Sequence, residues 1–138
     1  MNNVIIYQDG ADLCVIHPAE GTTMEQLVEY VPAGADYIAM DVADLPEDRY
    51  FREAWKLVGG ALTIDIELAK EVQRNHWRRL RRPKLLALDI AFIQALEAGD
   101  TVAQADIAAQ KTALRDVTET SLPDDLTGIR FTLPAILL

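Results

Sequence analysis

The sequence predicts an α+β protein, with a small, mainly antiparallel N-terminal sheet followed by a C-terminal α-helical hairpin. Three observations predict it. Short β-branched runs separated by turn residues fill residues 1–62. Apolar residues then recur at three- and four-residue spacing over residues 63–121. The interruption Gly99-Asp100-Thr101 divides that second stretch in two, as a helix stop followed by a helix start does. Residues 122–138 complete the chain as an extended tail, because Pro123 and Pro134 argue against a further regular element.

The elements follow in order. VIIYQ (residues 4–8) and LCVIH (13–17) flank Asp9-Gly10-Ala11-Asp12, and Asp-Gly between two such runs is a hairpin signal. Thr22 or Thr23 can cap a short helix, MEQLVEYV, whose Glu25 favours the positive end of the helix dipole. Pro32 and Gly34 end it, and DYIAMDV (36–42) supplies a third strand. The acidic turn DLPED (44–48) precedes RYFREAWKLV, which its aromatic content and the following Gly59-Gly60 mark as a strand.

ALTIDIELAKEV opens the helical part, with Asp65 as N-cap and Ile64 and Ala69 placed for a hydrophobic staple. Ile66, Ala69, Gln73, His76 and Leu80 keep helical spacing. Pro83 lacks a backbone donor and crowds the carbonyl four residues earlier, so a kink or a break is expected there. Beyond it, Leu85, Leu88, Phe92 and Leu96 line one stripe and Leu86, Ile90 and Ile93 an adjacent one. So broad an apolar face requires contact on two sides, and the first stripe is the expected partner interface. Gly99 ends this helix, and Thr101-x-x-Gln104 has the form of a capping box for the next. That helix runs to about residue 119, with Ala103, Ile107, Gln110, Leu114 and Val117 on its inner face. A connection this short makes the two helices antiparallel.

Charge narrows the function classes. The net charge is -9, yet six basic residues and no acid lie between Arg74 and Lys84. An acidic surface elsewhere repels phosphate backbones, so nucleic-acid binding is not expected. The single Cys14 excludes an internal disulfide and offers no CxxC motif. No apolar run approaches the roughly 18 residues a membrane span needs, and no basic, apolar leader opens the chain. The expectation is a soluble, cytoplasmic chain without membrane partner, cofactor or metal. His17 and His76 fall in separate elements without a carboxylate or Cys at ligand spacing, and no nucleophile-elbow, zincin or phosphate-loop motif occurs, so no catalytic residue is assigned. The acids Asp41, Asp44, Glu47 and Asp48 lack the alternation of a calcium loop and read as a solvated turn.

HWRRLRRPK (76–84) is the one local feature with binding chemistry. Arg74, Arg78 and Arg81 or Arg82 share a helix face; with Trp77, Arg79 and Lys84 they form a candidate site for an acidic partner or an anion. Guanidinium groups suit carboxylate and phosphate equally, and Trp77 can either stack on a base or cover an apolar edge. Pairing of the arginines with acids of the same protein is the structural alternative. Asp89 lies within the apolar run and needs a partner, for which Arg115 on the next helix is placed.

Two stretches carry a resemblance. DLPEDRYFREAW (44–55) resembles a segment of small phage and prophage proteins encoded near tail or tail-fibre genes. RRLRRPKLLALDIAFIQALEAGD with AQKTALRDVTETSLPDD is similar to the paired helices of phage tail assembly chaperone-like and tail-fibre assembly-like proteins. The resemblance implies a non-enzymatic homo-oligomer that contacts a phage tail or tail-fibre protein in the host cytoplasm, or stays in the virion as a minor component. The arginine cluster also leaves open a phage counter-defence protein that sequesters a nucleotide signal through Trp77, Arg78, Arg79 and Arg82.

Overall fold

The structure, a computed structural model, describes residues 2–138 and is of the α+β class, antiparallel strands first and helices after. It divides into two compact units, one ending at Ala69 and the other spanning Lys70–Leu138.

In the first unit, β1 (Asn3–Asp9) is the central strand of a three-stranded antiparallel sheet, between β2 (Asp12–Ile16) and β3 (Tyr37–Asp41). The β1–β2 turn is Gly10-Ala11, with Asp9 opposite Asp12 and Tyr7 opposite Cys14. Val4, Ile5 and Ile6 are all buried, which is what an uninterrupted apolar run in a central strand provides when both sheet faces are covered. On one face Val4 and Ile6 meet Leu13, Leu45 and Trp55. Toward the other lies α1 (Met24–Val28), which packs along β1 and buries Leu27. Thr23 and Gln26 form a reciprocal capping box at its start, at 3.3 and 2.9 Å.

The stretch 49–64 departs from expectation. Only Trp55–Val58 is a strand (β4); it follows a single 3-10 turn, Arg52–Ala54. A fifth strand, β5 (Ala61–Ile64), pairs with it, Leu62 opposite Leu57, so Thr63 and Ile64 belong to the sheet and not to the helix. Gly59 and Gly60 both have positive φ, 59° and 76°, which is the geometry that matches a two-residue connection to the twist of its strands.

Asp65 then caps the helix as predicted, its Oδ1 accepting from the Leu68 amide at 2.9 Å. That hydrogen bond, with Lys56 Nζ 3.5 Å from the carboxylate, holds the Asp65 carboxyl below the usual carboxylate range. The stabilisation is therefore complete above about pH 4, the ordinary value, and fades as pH falls through the lower folded value. Asp65→Ala is expected to cost about 1 kcal/mol at pH 7, and the deficit should shrink below about pH 4 when urea melts are compared with the parent.

The helical part is α2 (Ile66–Glu97), α3 (Thr101–Arg115) and α4 (Leu126–Phe131). Pro83 lies inside one continuous α2. Of the two alternatives, a kink or a break, the break does not occur, because both sides are held by one core: Trp77 before it and Leu85 and Leu88 after it pack with Leu114, Val117 and Leu137. Gly99, at φ 66°, closes α2 in a Schellman motif, with its own amide to Leu96 O and that of Asp100 to Ala95 O. The N-cap of α3 is Asp100, not Thr101; its Oδ1 accepts from the Ala103 amide at 3.0 Å. The hairpin is antiparallel, since Gln104 bonds to Ala95, Lys111 to Asp89 and Arg81 to Leu114 and Arg115.

The tail is not extended throughout. Asp125 caps α4 by accepting from the Gly128 amide at 2.9 Å, and Ala135–Leu137 forms a last 3-10 turn. Ile129 and Leu137 are buried and anchor the tail to its own unit, while Phe131, Leu133, Ile136 and Leu138 stay exposed.

Candidate interaction surface on the long helix

At 100° per residue, a helix separates side chains adjacent in sequence onto different faces. The basic run is dispersed in this way. Trp77 points inward and is fully buried; its indole N–H donates to Thr132 O at 3.2 Å. Beside it Gln73, the buried polar side chain of the core, donates to the same carbonyl at 3.0 Å and to Arg130 O at 3.3 Å. Trp77 is accordingly a structural anchor and leaves the candidate binding set, because a ring with no exposed face cannot stack on a ligand. Gln73 was visible in the sequence as a polar residue on the inner face, but nothing there disclosed its acceptors.

The charged residues sort by direction. Arg78 bonds Glu71 at 2.6 Å and Asn75 at 2.5 Å, and Arg74 lies 3.9 Å from Glu71. Arg81 donates to Arg115 O at 2.7 Å and Leu114 O at 3.3 Å, supplying a cation to the carbonyl end of α3. Lys84 reaches the carbonyl of Leu138 at 3.2 Å. Arg79 and Arg82 are exposed and form no hydrogen bond or ion pair among the described residues. Asp89 pairs with Lys111 at 2.5 Å, one turn before Arg115, which the sequence had nominated.

The apolar stripes exchange roles. Leu85 and Leu88 pack against the Trp77 core, and Phe92 is half-buried with Lys111 Nζ 5.6 Å from its ring centre. These three of the four expected interface residues therefore belong to the inside of the hairpin; Leu96 alone of them is exposed. The free stripe is the adjacent one: Leu86, Ile90 and Ile93 are 63, 54 and 55% exposed. The periodicity showed both stripes, and the ties to α3 decide which of them turns inward.

A groove lined by Arg78, Arg81, Arg82, Leu85, Leu86 and Asp89 runs beside this stripe. With Asp89 in its wall and two of its three arginines engaged, it does not converge on an anion. Among the described residues no three His, Cys, Asp or Glu side chains come together as metal ligands. In the acidic turn, Asp41 and Asp48 spend carboxylate oxygens on the amides of Ala43 and Tyr50. No helix of the described residues is long and apolar enough to cross a membrane. No protein-family model, curated protein or solved structure matches the chain.

Proposed function

We propose that the chain is a non-enzymatic protein that works by protein–protein contact through the outer face of α2, in phage tail or tail-fibre assembly or as a minor virion component. One observation carries the reading: Leu86, Ile90 and Ile93 lie exposed in a row on the side opposite the core, continued by the unpaired Arg79 and Arg82. Contiguous exposed apolar surface bordered by charge is the usual mark of an interface. The sequence resemblance of 44–55 and of the paired helices supplies the phage context. Protein contact is favoured over capture of a nucleotide signal because Trp77 is spent in the core and Arg78 on Glu71.

Co-expression with the tail and tail-fibre proteins of the parent phage tests it. The chain is expected to co-elute with one of them. Leu86→Glu/Ile93→Glu should abolish that co-elution while leaving the circular dichroism spectrum unchanged, since exposed substitutions typically move stability by less than about 0.5 kcal/mol. A double variant that still co-elutes like the parent would remove the outer face of α2 from the function.

A further inference from the structure

We infer that the outer face of α2 binds a second copy of this chain, with the two long helices antiparallel about a two-fold axis midway between positions 89 and 90. The inference rests on that face being the interaction surface proposed above, and it names the occupant.

The order of residues along the face carries the argument. Arg82, Leu86, Ile90, Ile93 and Glu97 fall within about 80° of one another at 100° per residue, and all five are exposed. A two-fold midway between 89 and 90 exchanges positions equidistant from it. Leu86 then lies against Ile93 of the other copy and Ile90 beside its own counterpart, while Arg82 faces Glu97. The apolar residues thus occupy the middle and opposite charges the ends, in the only orientation that matches both. A parallel pair would set Arg82 against Arg82 and Glu97 against Glu97, and like charges placed so are unfavourable.

The charges are available for this purpose. Arg79, Arg82 and Glu97 have no hydrogen bond or ion pair among the described residues, whereas the basic residues on the inner side are engaged. From Arg79 to Glu97 the face is about 27 Å long at 1.5 Å per residue, or about two and a half heptads of seam. An isologous contact uses this one patch twice, so no second complementary surface is required.

Sedimentation equilibrium of the full chain, without any other protein, tests the inference. The parent is expected to be a dimer in the micromolar range. Arg82→Glu alone and Glu97→Arg alone should each raise the dimer Kd by about tenfold, because every dimer then contains two like-charge contacts. An equimolar mixture of the two variants should recover parental association as a heterodimer. In the antiparallel register the two substituted positions meet at one end as an opposite-charge pair, and the native Arg82–Glu97 pair is kept at the other. Both positions are exposed, and unchanged melting curves verify that the fold is intact. A parent that is still monomeric at millimolar concentration overturns the inference. So does a dimer indifferent to both substitutions, or a mixture no tighter than its components. In each of these cases the co-elution experiment with Leu86→Glu/Ile93→Glu still decides separately whether the face serves another protein.

Discussion

Trp77→Ala is expected to lower stability by about 3–5 kcal/mol, the range for removing a large buried aromatic. Trp77 is fully buried where α2, α3 and the C-terminal turn meet, and Leu114, Val117 and Leu137 lose contact with it together. The substitution also removes one of two donors from the Thr132 carbonyl; Gln73 remains on it, so the acceptor is not orphaned. Most of the loss is therefore cavity and transfer free energy, with about 1 kcal/mol from the hydrogen bond. Chemical denaturation followed by circular dichroism measures it. A loss below about 1 kcal/mol would mean that the C-terminal segment does not close over the indole as described.

Trp55→Ala, in the first unit, is expected to have an effect of similar size for the same reason, since Trp55 packs with Val4, Ile6, Leu13 and Leu45. Its surroundings differ in two respects. The guanidinium of Arg52 lies 4.8 Å from the ring centre while donating to Leu13 O at 2.8 Å, and that of Arg49 lies at 5.3 Å. The Trp55 indole N–H is buried without a hydrogen-bond acceptor among the described residues. Phenylalanine keeps a ring for the guanidinium and removes that unpaired donor. Trp55→Phe should accordingly cost less than Trp77→Phe, by about 1 kcal/mol or more, the worth of the hydrogen bond lost in the second case. Equal costs would show that the Trp55 indole has an acceptor.

Local chemistry made the first three strands and the N-caps of α1 and α2 legible. Val4-Ile5-Ile6, the Asp9-Gly10 turn, Thr23 and Asp65 each act within a few residues, so sequence suffices. β5 was hidden because Ile64 and Ala69 also satisfy the staple spacing of a helix start, and the hairpin that claims Ala61–Ile64 depends on pairing with β4. Pro83 shows a local rule overridden by tertiary packing, with the same core gripping both sides of it. The tail was misjudged by its prolines: both precede short helical segments, where proline is tolerated. At the candidate surface the residue types were right and their directions were not. A basic run that is contiguous in sequence divides by azimuth into a buried indole, arginines tied to acceptors, and two that remain free. Which of two equally apolar stripes faces inward depends on where α3 returns, and one-dimensional periodicity contains no such information.

The two tryptophans of the chain fall one to each unit, Trp55 before the boundary at Ala69 and Trp77 after it. Each therefore gives its unit a separate optical signal, since indole emission moves to longer wavelength when water reaches the ring. Trp55→Phe leaves fluorescence that reports on the helical unit alone, and Trp77→Phe leaves a reporter for the sheet. Superimposable unfolding curves from the two variants, after allowance for their different stabilities, would mark a single cooperative transition; displaced curves would mark two. The chain thus carries the means to show whether its two units unfold as one.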